Sequence, residues 1–413
     1  MERSLARTCI EHLRAGVPSL SVAELLSAGR TRVLAEIAED LRALEGGRAR
    51  RNMRIIAANY GDGKSHTLNA IRAMAEREHF LVSQLTVSRE TPLDRVERVY
   101  RKLIARTYFP GIGRPGLDAV LQEIERRPEA VQRLLRYAQT KLHTKVGLVL
   151  EARLEGRRGD IEPLDRDLSG YFLAMPDLRR AYEDNVGRKL APIERFKQDN
   201  AFDYLRLVGE MSTVAGLAGW VILIDEAEMI GSVGRRARAK SYDFLSRLQD
   251  RALMPQTYSV VAVAASFQQT LVEKLGDGED LPAWLRERGH EQLAETVGEP
   301  IRQLQSAPHL PPLSEADLAQ VFDGIVKTHA DAFGWSPPLS GADLLRRIRV
   351  PLRERDIKVR QLVRAAVHFL DLYSLYGQEP MLQVHDIAEP MPVAAAVEDE
   401  PQEGEGVRRG WSG

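Results

Sequence analysis

The stretch from Ala57 to His66 constrains this chain most, because an apolar run leads directly into a glycine-rich turn and a Lys-Ser pair. Glycines at 61 and 63 let backbone N–H groups turn inward around phosphate oxygens. Lys64 is then placed to bridge the outer phosphates, and the Ser65 hydroxyl to hold Mg²⁺. The pattern predicts a phosphate-binding loop for ATP, formed by Asn59, Tyr60, Gly61, Asp62, Gly63, Lys64, Ser65 and His66.

Ala58 stands where such a loop usually begins with glycine. Alanine is small, so we expect only a modest adjustment of the backbone. The substitution leaves ATP binding as the prediction and leaves the rate of turnover open.

A second, independent motif lies at Gly219 to Glu228, where a continuous apolar run ends in two carboxylates. The run predicts a strand buried on both faces, and the carboxyl ends of such strands are where open α/β sheets bind ligands. Asp225 is then a ligand for Mg²⁺, and Glu226 is the group that polarises the attacking water. Together the two motifs predict a nucleoside-triphosphate site.

Composition bounds the class of protein without deciding it. A chain of 413 residues with 44% hydrophobic content can bury a large core and divide into two or three domains. The 58 basic and 59 acidic residues leave a formal charge of -1, so any DNA or RNA binding has to come from a local patch.

The single Cys9 excludes an internal disulfide and a thiolate metal cluster, which fits a reducing compartment. The N-terminal apolar stretch is interrupted by Arg7 and continues into charged residues, so it does not resemble a signal peptide. No apolar run is long enough to span a bilayer. We therefore expect a cytoplasmic protein without membrane contact.

Alternating elements predict an α/β fold with a central parallel sheet. Amphipathic helices are expected over residues 1–46, and the ATPase core over 47–308. Its strands are expected at about 53–58, 80–87 and 258–265, besides the one that ends at the two carboxylates. Residues 110–200 read as a helical insertion that is larger than a crossover needs, serving either as packing or as a partner surface. A short strand at 309–313 and a helical lid over 309–390 follow, and the composition of 391–413 predicts disorder.

Three further residues are candidates for catalysis, and each also has a purely structural interpretation. Ser266, with Gln268 in reserve, ends a predicted strand and either contacts the γ-phosphate or caps the strand. Arg288, or its neighbour Arg286, either reaches an adjacent subunit's nucleotide in a homo-oligomer or forms a surface ion pair. Arg360 begins the last helix and either reaches phosphates across the cleft or faces solvent.

A basic run at Arg235, Arg236 and Arg238 is the sequence's candidate contact for DNA phosphates. Such runs more often form a solvated helix face. DNA-stimulated turnover that is lost on neutralising these arginines would distinguish the two interpretations.

The order of these elements resembles the AAA+ type P-loop NTPases. More specifically, the chain is similar to the ATP-binding proteins of bacterial phage-exclusion (BREX) systems, the BrxD-like family. The similarity extends to about residue 375 and rests on segments 3–18, 60–66, 87–94, 225–228, 240–242 and 312–314. Ala58 departs from this family, which generally has glycine there.

The resemblance implies an ATPase of phage defence that works with other defence proteins such as a helicase or a DNA-modifying complex. The residues themselves imply Mg²⁺-dependent ATP binding and hydrolysis, coupled to remodelling of a partner or of DNA. Two alternatives remain open: a nucleotide-gated scaffold or switch with little hydrolysis, and a DNA-loading ATPase resembling replication initiators or transposition regulators.

Overall fold

The computed structural model describes residues 2–16, 19–25, 28–156, 159–350 and 358–382. These residues form one sheet, whose strands are β1 (Met53–Ala58), β2 (Phe80–Thr86), β3 (Thr107–Tyr108), β4 (Gly219–Asp225) and β5 (Thr257–Ala264). The strand order is β1-β5-β4-β2-β3. All neighbours are parallel except β2 and β3, so the predicted α/β class with a mainly parallel sheet is confirmed.

Helices surround the sheet. In chain order they are α1 (Arg3–Ala15), α2 (Leu20–Leu25), α3 (Thr31–Glu45), α4 (Lys64–Arg77), α5 (Val96–Ile104), α6 (Asp118–Glu125), α7 (Pro128–Lys141), α8 (Thr144–Leu154), α9 (Glu162–Leu168), α10 (Met175–Val186), α11 (Phe202–Val214), α12 (Arg235–Gln249), α13 (Ala265–Thr270), α14 (Asp280–Arg286), α15 (Glu291–Thr296), α16 (Gly298–Gln305), α17 (Glu315–Phe333), α18 (Gly341–Arg349) and α19 (Val359–Tyr376). Within the described ranges, none is both long and apolar enough to cross a bilayer.

The two faces of the sheet bury different sets of apolar side chains because successive residues of a strand point to opposite faces. On one face Ile55 and Leu81 pack in a large cluster with α5, α11 and the helices between them. On the other face Ile56 and Val82 pack against α3 and α4. The helices predicted as an insertion therefore share the core of the sheet.

The first 46 residues pack as two separate parts. Helix α1 packs with α17, α18 and α19 through Ile10, Phe322 and Leu370, whereas α3 packs on the sheet through Leu41. Helix α1 thus belongs with the C-terminal helical block, which we define as α17 to α19. The predicted domain boundaries stay a prediction.

The predicted strand at 309–313 is wrong. His309 makes only an isolated parallel bridge to Ala57, supported by the bond from Leu310 N to Ala57 O at 2.7 Å. The ladder ends there because Pro311 and Pro312 have no N–H to donate. The predicted disorder at 391–413, and the parts of the predicted lid at 351–357 and 383–390, lie outside the described residues.

Candidate functional site

The phosphate loop connects the end of β1 to the start of α4. Gly61 and Gly63 have φ of 88° and 89°, a left-handed conformation that favours glycine. The Asn59 side chain donates to Asp62 Oδ2 at 3.1 Å, which braces the loop from within. The N-cap residue of α4 is Gly63, which has no side chain to cap the first turn, so it leaves N–H groups of that turn for a ligand. This arrangement suits a phosphate group.

The two residues that follow the loop meet partners at the strand ends. The Lys64 side chain is buried, and its Nζ lies 3.4 Å from Ala58 O. Ser65 Oγ donates to Asp225 Oδ2 at 2.5 Å, and the other oxygen of Asp225 accepts the Glu226 N–H at 2.9 Å. A hydroxyl beside a carboxylate supplies the oxygen ligands that Mg²⁺ prefers, so these two residues fit that ion.

Glu226 is held in an unusual backbone conformation directly after β4. Its φ is 57°, a left-handed value that is uncommon for any residue with a side chain. Partial burial of the carboxyl raises the pKa of Glu226, and the neighbouring charges of Asp225 and Glu228 raise it further. Such a shift makes the carboxylate more basic than an ordinary surface glutamate.

Glu228, the alternative water-orienting residue, has a separate contact. Its Oε2 accepts the backbone N–H of Ala264 at 3.0 Å, which ties the segment after β4 to the end of β5. The acceptor oxygen holds two strand ends together, and Glu228 does not line the pocket described next.

A pocket of about 360 Å³ lies between the phosphate loop, α1 and the C-terminal helical block. This volume lies in the usual range for small-molecule sites. Its lining includes Tyr60, Gly61, Gly63, Lys64, Ser65 and His66 of the phosphate-loop segment, together with Glu226 and Arg360. Its apolar walls include Leu13, Val22, Leu313, Val321 and Val363. The structure thus brings most of the predicted nucleotide-binding residues into one cavity, with Asn59 and Asp62 bracing its loop.

The model of one protein family, the BREX system ATP-binding protein BrxC/D, matches residues 1–159 and 183–387. The chain belongs to this family. Membership confirms the resemblance found in the sequence and supports an ATP-binding role in phage defence. No curated protein and no solved structure matches the chain.

Two polar residues of the pocket in this BrxC/D family chain were not predicted from the sequence, because neither belongs to a nucleotide-binding motif. Arg30 is 3% exposed, and it donates to Asp62 O and to Pro311 O, both at 2.6 Å. Burial lowers the pKa of this guanidinium, and the charges of Asp62 and Asp317 offset only part of that effect. His12 also lines the pocket, and its Nδ1 is buried without a hydrogen-bond partner in the described part of the chain.

Two sequence candidates lie away from the pocket. Ser266 is exposed at the start of α13 and is not among the lining residues. Gln268 is the alternative to Ser266. Its side-chain amide donates to the carbonyls of Leu304 and Ala307, at 3.3 and 2.8 Å. A γ-phosphate contact by Ser266 therefore stays a prediction, and Gln268 serves the packing of α13 against α16.

Arg288 is exposed, and its guanidinium lies 4.5 Å from the ring centre of Trp284. It does not line the pocket of its own chain. Its role toward a second subunit stays a prediction.

The basic run after β4 is not a continuous set of phosphate contacts. Arg238 is 6% exposed and forms two bonds of 2.7 Å with Asp277, which also accepts from the Tyr242 hydroxyl. Its interpretation as a DNA contact is wrong, because a buried, paired guanidinium cannot reach a ligand. Arg235 and Arg236 remain exposed.

Proposed function

We propose that this BREX protein is a Mg²⁺-dependent ATPase of the AAA+ type that couples ATP hydrolysis to remodelling of a partner or of DNA. One observation carries the proposal: the bond between Ser65 and Asp225 brings the phosphate loop and the acidic strand to one edge of a parallel sheet. Lys64 and Glu226 line the pocket beside it.

Each residue has a role that its position supports. Lys64 binds the outer phosphates, and Ser65 and Asp225 hold the metal. Glu226 orients the attacking water, for which a raised pKa makes it a better base. Mg²⁺ supplies positive charge that offsets the charge of the transferring phosphoryl group.

The C-terminal helical block is placed to respond to the nucleotide. A Cβ at Gly61 would come within 3.1 Å of the Lys358 side chain, so the start of α19 packs directly on the phosphate loop. Arg360, the second residue of α19, lines the pocket. We assign Arg360 to the bound phosphates and the block to the moving lid. Ser266 and, across a subunit boundary, Arg288 are further candidates for the γ-phosphate.

Titration with a fluorescent ATP analogue, with Mg²⁺ or with EDTA, tests the proposal. Lys64→Ala removes a buried cation from the pocket and is expected to abolish binding, whereas Lys141→Ala, an exposed lysine at the end of α7, is the matched control. Equal affinity of the Lys64→Ala and Lys141→Ala proteins would contradict the proposed site.

A further inference from the structure

The exposed side of α5 carries an unusual concentration of positive charge. Between Arg95 and Arg106 the sequence has five cations and one carboxylate. All five cations are exposed, while the opposite side of the helix, including Val99 and Leu103, is buried against the sheet. We call the set Arg95, Arg98, Arg101, Lys102 and Arg106 the basic face.

Some arginines of the neighbouring helices have carboxylate partners. In the helices that follow α5, Arg126 and Arg127 pair with Glu123, Arg133 with Glu210, and Arg188 with Glu151. Surface pairs of this kind contribute little to stability but cancel the local field. On the basic face such a pair is found only for Arg95 among the described residues.

The few acceptors near the basic face leave its charge uncompensated. The Glu97 carboxylate accepts the Gln198 amide at 2.9 and 2.7 Å, and Arg95 is 3.6 Å from Asp94. Among the described residues, no carboxylate lies within ion-pair distance of Arg98, Arg101, Lys102 or Arg106. Electrostatic attraction for an anionic partner therefore remains available here.

Part of the basic face is fixed in place before any partner binds. Arg101 Nε donates to Gly170 O at 3.0 Å, and its guanidinium lies 4.4 Å from the ring centre of the half-exposed Tyr171. Arg98 bonds to the carbonyl of Glu90 at 3.4 Å. These contacts leave further guanidinium N–H groups for a ligand, and a fixed side chain loses less entropy on binding.

We propose that the basic face binds the phosphodiester backbone of DNA. Arg95, Arg98 and Lys102 follow helical spacing along one stripe of about 10 Å, at roughly 1.5 Å per residue, which suits consecutive phosphates. No exposed apolar side chain interrupts α5, which argues against a bilayer or an apolar protein groove. Guanidinium groups without a carboxylate partner match phosphate oxygens in charge and shape.

This inference rests on the proposed function in one respect: it names DNA as the partner on which the ATPase would act. The segment before α5 also connects the basic face to the nucleotide pocket. Val87 N donates to Asp225 O at 2.9 Å, at the carboxyl edge of the sheet that carries the pocket. The basic face and the phosphate loop are nevertheless separate surfaces. DNA binding and ATP binding can be measured separately.

Fluorescence anisotropy of labelled duplex and single-stranded oligonucleotides, measured over a series of salt concentrations, tests the proposal. Arg98→Glu/Lys102→Glu reverses two charges of the basic face, and Arg235→Glu/Arg236→Glu makes the same charge change on the exposed part of α12. The first variant is expected to lose affinity on the order of tenfold or more, with a salt slope reduced by about two, one per phosphate contact. The second is expected to bind like the unmodified protein.

Three results would overturn the proposal: no DNA binding by the unmodified protein, equal losses in both double variants, or competition by polyglutamate as effective as that by unlabelled DNA. The ATP analogue is titrated into the same samples, and retained nucleotide binding shows that the variants are folded. Lys64→Ala is expected to lose ATP but keep its nucleotide-free affinity for DNA. A failure of the DNA-binding proposal can therefore be distinguished from a failure of the ATP-binding proposal.

Discussion

Ser65 Oγ donates to Asp225 Oδ2 at 2.5 Å although 160 positions separate the two residues in the chain. Strand β5 lies between β1 and β4 in the sheet, so this contact crosses the end of a third strand. The fold thereby makes one oxygen-rich site out of two motifs that the sequence keeps apart.

Removing either oxygen should weaken the response to Mg²⁺. Loss of a group that only supports a metal ligand typically lowers metal affinity about 10–100-fold. Loss of a ligand itself should cost at least as much, so we expect Ser65→Ala and Asp225→Asn to raise the Mg²⁺ requirement by about tenfold or more. Titrating Mg²⁺ against ATP binding and hydrolysis measures this. Ser306→Ala, an exposed serine bonded to Arg302 O, is the control. An unchanged Mg²⁺ requirement would remove both residues from the metal site.

Glu226→Gln should preserve ATP binding and lower hydrolysis by about 10²–10⁴-fold, because an amide cannot accept a proton from water. Glu228→Gln keeps an oxygen that can accept the Ala264 N–H, so its hydrolysis should stay within a few-fold. Single-turnover hydrolysis compares the two variants. Normal hydrolysis by Glu226→Gln would make the water-orienting assignment wrong.

The fall of kcat/KM on the acid side of its pH profile, here called the acid limb, should report the pKa of Glu226. Burial and the charges of Asp225 and Glu228 raise this pKa, and the residue acts in its ionised form. Activity should therefore be lost, as the pH falls, at a higher pH than for an ordinary glutamate. Glu228→Gln removes one negative charge and should move the limb to lower pH. A limb that stays in place or moves upward in that variant would contradict this account.

Arg30→Ala should lower both stability and ATP affinity. It leaves the carbonyls of Asp62 and Pro311 without their donor, at a cost of about 3 kcal/mol for bonds to a charged group. Urea unfolding with and without ATP measures both effects, and Arg30→Lys should restore part of each. Arg32→Ala removes only an exposed pair with Glu36 and should change stability by less than about 1 kcal/mol. Equal effects of the two alanine variants would contradict a special role for Arg30.

The sequence was sufficient for the features that depend on neighbouring residues. The continuous apolar run before Asp225 predicts β4, and the turn at Gly61 and Gly63 predicts where α4 begins. Both signals are local, because burial on two faces and left-handed backbone leave their mark on adjacent positions.

Contacts between distant parts of the chain could not be predicted in this way. Arg30 reaches the phosphate loop from a segment before α3, and nothing around it marks a buried cation. Arg238 looks like part of an exposed basic run until Asp277, 39 positions later, is placed beside it. In each case the deciding partner is supplied by tertiary packing.

Steady-state ATP hydrolysis by the purified protein with Mg²⁺, with and without DNA and with Lys64→Ala measured alongside, shows whether this site is an ATPase. We expect turnover that requires both Lys64 and Mg²⁺ and that rises when DNA is added. Turnover that persists in Lys64→Ala, or nucleotide binding without turnover under every one of these conditions, would contradict an ATPase at this site.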